Sequence, residues 1–214
     1  MIRVRKCESI PSTLQKGYNT DEVCRQLLAD QDEKCYLCER HLHTNYQVEH
    51  LSSQNNTDPE LVNEWGNLYA ACEYCNNKKS DRYDSVLHPD KCNIEEIILH
   101  HVDFMQKKVY FESDKDSSEV LQTIQLLSLL FNGKLAFRTL REQRFYDEFI
   151  RAFNVFQGAV NKYLDGCKEE YYGVIKELLD IKSEYLGFKY AIIMNNSVLR
   201  KDFGGLIKWN KQGK

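Results

Sequence analysis

Apolar positions fall into two regimes along the chain. Up to about residue 90 they come in short runs broken by polar stretches; beyond it they recur at helical spacing. In the first regime, Val23, Leu27 and Leu28 mark a helix that Asn19-Thr20-Asp21 can cap, with carboxylates at its positive end. A short strand is predicted around Tyr46-Gln47-Val48-Glu49-His50, then the polar loop SSQNNTDPE and a run from Asn67 to Ala71. NNKKSDRYD predicts a turn or a helix start. In the second regime, Val120, Leu121, Ile124, Leu127 and Leu130 or Phe131 follow a cap at Ser117-Ser118. A longer stripe runs Leu140, Phe145, Phe149, Phe153 or Ala152, Phe156, Val160, Leu164, most simply read as a core face. Tyr171, Ile175, Leu178 and Leu179 mark a third helix, and Val109-Tyr110-Phe111 near Phe104 a strand or hairpin.

Proline and charge divide the chain at the same place. Pro11, Pro59 and Pro89 all lie in the first 90 residues, and none follows. Residues 1–90 carry 10 Lys and Arg against 15 Asp and Glu; residues 91–214 carry 19 against 17. We place a boundary near His88-Pro89-Asp90 and expect a leader and helix over 1–30, a small chemistry-bearing core over 31–90, and a helical domain over 91–214.

With 42% hydrophobic residues the chain is not wholly disordered. No apolar run approaches the roughly 20 residues that cross a bilayer. The basic start MIRVRKCESI has no apolar stretch after it, so a cytoplasmic protein without a secretory signal is expected. A net charge of -3 means that any nucleic-acid contact must come from a local basic patch.

Four of the eight cysteines form two Cys-x-x-Cys pairs, Cys35/Cys38 and Cys72/Cys75. In a reducing compartment such pairs read first as metal ligands, and two pairs complete a tetrahedral zinc shell. The 33 residues between Cys38 and Cys72 exceed the usual ribbon gap of about 15–20, so an insert separates the knuckles. A zinc held by four thiolates has no open position and does no chemistry itself.

The insert and its flank supply the reactive types. His50 is the natural general base, because its ordinary pKa lies near neutrality. Glu49 and the Asn76 carbonyl are oxygen donors suited to a hard cation. Lys78, Lys79 and Arg82 can seat a phosphodiester or form an ordinary solvated face. Asn76 is equally a good helix cap, Glu49 a plain strand residue, and Asn67 a loop tether. His41 and His43 lie near the first knuckle and can approach a phosphate. Tyr83, Trp65 and Trp209 are expected to pack rather than stack on bases. One tension remains: neighbours on a regular strand point to opposite faces, so Glu49 and His50 serve one phosphate only if the strand ends or bends there.

The order Cys-x-x-Cys, Glu-His-Leu, Asn-Leu, Cys-x-x-Cys-Asn-x-x-Lys resembles the HNH endonucleases with a zinc-stapled ββα-metal core, over roughly Cys35 to Arg82. That resemblance implies an α+β fold: the HNH core with a mainly α-helical C-terminal domain. It implies structural Zn²⁺ on Cys35, Cys38, Cys72 and Cys75, His50 as base, and Asn67 tying the loop to it. It also implies catalytic Mg²⁺ or Mn²⁺ on Asn76 and Glu49, where the family more often has Asp before the His.

More loosely, the whole layout resembles the HNH proteins that accompany an ABC- or OLD-type ATPase in bacterial antiphage systems, including Septu and some retron-associated systems. Ile2-Arg3-Val4-Arg5-Lys6 and EVCRQLLADQDEKCYLCER are the matching segments. This implies a DNA-cutting effector gated by that ATPase, in some systems beside a retron reverse transcriptase and its DNA, with residues 91–214 docking the partner. An RNA-cleaving enzyme with the same site, tRNA included, and an idle zinc module that docks nucleic acid or protein are the competing expectations.

Overall fold

The computed structural model describes residues 1–53 and 59–207; Trp209 lies outside the described residues. Helix α1 spans Asp21–Asp30, with the Thr20 hydroxyl accepting from the Val23 amide as its cap. Strands β1 (Tyr46–His50) and β2 (Leu68–Cys72) pair antiparallel, Tyr46 opposite Cys72 and His50 opposite Leu68. Helix α2 (Glu73–Lys79) follows β2 with no intervening loop, since Cys72 is at once the last strand residue and the N-cap. Every residue of β2 is buried, because α1 covers it on one side and α2 packs on both strands. The helix expected after Cys75 therefore begins earlier, and the second knuckle lies in its first turn.

The second half opens with a short helical turn, α3 (Ile94–Ile97), and a hairpin of β3 (Leu99–Asp103) and β4 (Lys108–Glu112). Helices α4 (Ser118–Asn132), α5 (Leu140–Leu164), α6 (Lys168–Leu178), α7 (Leu186–Asn195) and α8 (Ser197–Phe203) complete it. Ser117 caps α4, as its sequence suggests. A capping box between Thr139 and Glu142 starts α5. The α5 stripe is core: Phe145, Phe149, Phe153 and Phe156 are buried, and Phe149 meets Phe131 and Phe188 at centroid distances of 5.0 and 4.6 Å. Leu140 and Leu164, at its two ends, are 70% and 41% exposed instead. The chain is thus a mixed fold of helices and two two-stranded sheets.

The proline boundary does not divide the packing. One continuous apolar cluster runs from Met1 to Ile207. Tyr74 on α2 stacks on Phe145 at 4.3 Å and donates to the Leu130 carbonyl. The Val4 amide donates to the Pro89 carbonyl, and the Lys34 ammonium to the Ser183 carbonyl at 3.0 Å. The ββα unit is therefore braced from behind by α4 and α5.

Candidate functional site

The first knuckle is a tight turn closed by the Cys35 amide donating to the Arg40 carbonyl and the Glu39 amide donating to the Cys35 carbonyl. The second is the start of α2. Their four sulfurs are buried and lie within 4.8 Å of one another, with Cys38 and Cys72 Sγ 4.0 Å apart. Tetrahedral zinc with bonds of about 2.3 Å sets its sulfurs about 3.8 Å apart, so the cluster needs only slight contraction to hold one ion. Burial pushes the Cys38 and Cys75 thiols up, whereas hydrogen bonds from the other three thiols pull Cys72 far down. The donor set fits a structural zinc, and every ligand comes from the segment that also shapes the cleft.

That cleft, about 420 Å³, lies beside the end of β1 and is bordered by Tyr18, His50, Ser53, Asn76, Ser80 and Asp81. His50 is the last residue of the strand. Its Nε2 lies 2.9 Å from the Val62 carbonyl oxygen and donates to it, which leaves the basic lone pair on Nδ1. Tyr18 meets the imidazole edge-on at 4.7 Å. Burial lowers the His50 pKa; the bond to Val62 works against this and the charge of Lys79 adds to it. The ring is held neutral, the form a general base needs.

Asn67 is wholly a tether. Its Oδ1 accepts from the Ser52 amide at 2.8 Å, and its Nδ2 donates to the carbonyls of Ser52 and Leu61. Both sides of the loop that follows His50 are thereby tied to one buried amide. Asn76, one turn into α2, donates its Nδ2 to Gln47 Oε1 at 2.6 Å, so its carbonyl is the group left for a cation. His50 and Asn76 border one cleft, as the motif order implies.

Other expected residues are placed differently. The Glu49 carboxylate turns inward, as strand alternation requires: Oε1 meets the Lys79 ammonium at 2.8 Å and Oε2 accepts from the Tyr36 hydroxyl. Glu49 borders the cleft, but both its oxygens are taken, so the expected Glu49–Asn76 cation pocket is not assembled in this arrangement. Lys79 is not a phosphate-facing cation either. Its side chain is fully buried and binds Glu49, Asp84 and the His50 carbonyl. Lys78 is paired with Glu142 at the start of α5. Of the expected basic turn, Arg82 alone is exposed. His41 and His43 do not border the cleft.

Tyr18, Asp81 and Asp84 went unmarked in the sequence. Asp81 brings a carboxylate to the cleft wall, and Asp84 holds the Ser53 amide and hydroxyl at 3.1 and 2.8 Å. Both acids sit inside NNKKSDRYD, where nothing in the spacing separates them from solvated charge. Tyr18 comes from a segment before α1, and only the fold brings it to His50.

Residues 35–82 match the family model for the HNH endonuclease, from the first knuckle to the end of the turn that follows α2. No curated protein and no solved structure matches the chain significantly. The segment is therefore an HNH domain, the type found in metal-dependent nucleases, set within a larger helical body. Among the described residues no helix is long and apolar enough to cross a membrane.

Proposed function

We propose that the chain is a metal-dependent HNH endonuclease that hydrolyses nucleic-acid phosphodiesters with His50 as general base. One observation supports this most directly: a neutral imidazole at the end of β1 shares a cleft with Asn76 at the start of α2, inside the HNH-matching segment. His50 Nδ1 takes a proton from water, the hydroxide attacks phosphorus in line, and the 3′-oxygen leaves, giving 5′-phosphate and 3′-hydroxyl ends. Val62 fixes the tautomer, and Asn67 positions the loop that carries that carbonyl's neighbours. Asn76 and Asp81 supply the oxygens that would hold Mg²⁺ or Mn²⁺; Glu49 would join them only on releasing Lys79. Such a cation supplies charge neutralisation at the phosphate when bound.

DNA is the proposed substrate, and the proposed setting is an antiphage system of Septu or retron type, gated by a partner ATPase docked on residues 91–214. The whole-chain layout supports the setting. The acidic first 90 residues and the inward Lys79 support dependence on a partner, since the cleft has little cationic surface of its own. The test is cleavage of plasmid DNA and of tRNA by the purified chain with Mg²⁺ or EDTA, alone and with the co-expressed neighbouring ATPase. Mg²⁺-dependent nicking of DNA that His50→Ala abolishes is the expected result. Equal cutting by His50→Ala defeats the mechanism, and cutting of RNA alone defeats the substrate assignment.

A further inference from the structure

A second cavity, about 580 Å³, adjoins the His50 cleft; Tyr18, Val48 and Asn76 form their common wall. Its size falls within the roughly 300–1,000 Å³ of small-ligand sites. The remaining border comes from Asn19, Thr44, Tyr46 and Gln47, with Cys24. No lining side chain is a cation or a carboxylate. Nearby charge is negative: Asp21 adds to burial in raising both the Cys24 thiol and the Tyr46 phenol. A phosphate would find nothing to pair with here. Two aromatic rings, with amides and hydroxyls around them, instead match a flat uncharged heterocycle with polar edges.

We propose that this cavity is a nucleobase subsite, and that the enzyme acts on phosphodiesters flanked by an unpaired nucleotide. The inference rests on the nuclease reading for the adjoining cleft. A paired base is buried in its duplex and reaches such a pocket only after unstacking, so single strands, flaps and bulges gain most. Stacking on one aromatic side chain is worth about five- to 150-fold in affinity per base, and it tolerates any base.

The experiment uses the zinc-loaded full chain without Mg²⁺ and reads fluorescence anisotropy of labelled oligothymidylate, oligouridylate and a paired duplex of equal length. Single strands are expected to bind about tenfold more tightly than the duplex. Tyr46→Leu should lose about tenfold on single strands and nothing on the duplex, while Tyr46→Phe keeps wild-type affinity. Asn19→Ala, at an exposed position before α1, gives a second variant that leaves the strand untouched and should weaken single-strand binding severalfold. The stronger of the two homopolymers identifies whether the base comes from DNA or RNA. Wild-type affinity of both Tyr46→Leu and Asn19→Ala for single strands, or a duplex bound as tightly, overturns the subsite. Adding Mg²⁺ to the same samples separates the two readings. Strands held through Tyr46 but never cut, either alone or with the co-expressed partner ATPase, defeat the nuclease and leave the subsite standing; cutting with Tyr46→Leu indistinguishable from wild type in affinity and rate does the reverse.

Discussion

The ammonium of Lys79 donates to the backbone carbonyl of His50 across 3.1 Å, so the cation sits beneath the base rather than in front of it. The same ammonium lies 2.8 Å from Glu49 and 3.6 Å from Asp84, and Asp84 in turn holds Ser53. One buried lysine thus fixes the strand end, the loop after it and the turn after α2. Burial raises the Glu49 carboxyl, and Lys79 and Tyr36 oppose that rise.

Removing one partner of a buried pair costs about 3–5 kcal/mol, because the other charge is left uncompensated. Lys79→Met is expected to lower the unfolding free energy by that amount, read as a lower urea midpoint at an unchanged slope. Adding Glu49→Gln should recover part of the loss, since it removes the orphaned charge. A double variant that merely sums the two single losses would show that the residues do not couple.

His50→Ala should reduce cleavage about 10²–10⁴-fold while zinc content and unfolding midpoint stay near wild type. The pH profile gives an independent check. Only the neutral imidazole accepts a proton, and burial lowers its pKa below the ordinary 6.5. The half-maximal rate should therefore lie below pH 6.5. A midpoint above 6.5 in kcat/KM would contradict the buried environment. Asn67→Ala breaks three hydrogen bonds to the loop, and a shift of about 1 Å in the base costs about a hundredfold.

The four sulfurs predict one zinc per chain by metal analysis. Cys72 is strand end, helix cap and ligand at once, so Cys72→Ala should lose the metal and the cooperative unfolding transition together. A zinc-free Cys72→Ala protein with wild-type unfolding would show that packing alone holds the two knuckles.

Local chemistry was the legible part of this fold. The cap at Thr20, the cap at Ser117, the strand ending in His50 and the α5 stripe all follow from short-range pattern. So do the two sulfur pairs, because their spacing is itself the signal. Residues whose role depends on what packs behind them were not legible. Lys79 follows Lys78 and reads as solvated charge, yet one residue on a helix is a turn of about 100°, which sends one inward to Glu49 and the other to Glu142. Glu49 and His50 alternate about the strand as geometry demands, so the motif joined in sequence what the pleat separates. Helices α7 and α8 escaped notice because Leu186–Asn195 is apolar on nearly every side, being central to the core, and shows no helical period. The proline boundary marked a change of element type and not a gap in the packing.

A buried histidine far from the cleft makes the fold sensitive to acid. His100 sits edge-on to Phe111 and Phe188, each at 5.1 Å, and its Nδ1 donates to the Ile98 carbonyl at 2.9 Å. Its Nε2 lies 3.4 Å from the Met1 amine, and a Cβ at Gly187 would come within 2.9 Å of it. Burial, then the Met1 charge, lowers its pKa from 6.5 to about 3. Between those values the unfolded chain binds a proton that the fold refuses, so stability falls as pH falls through that window, by at most about 1.4 kcal/mol per pH unit. Glu95 acts with the opposite sign. Burial raises it from 4.5 to about 7, and its contribution is full below 4.5 and lost as pH rises to 7. Comparing wild type with His100→Gln cancels Glu95, because both proteins carry it. From pH 6.5 to pH 5 the wild type should lose about 1.7 kcal/mol relative to the variant in urea unfolding. Parallel losses in the two proteins would mean that His100 takes up its proton without cost and that the aromatic cage does not exclude charge.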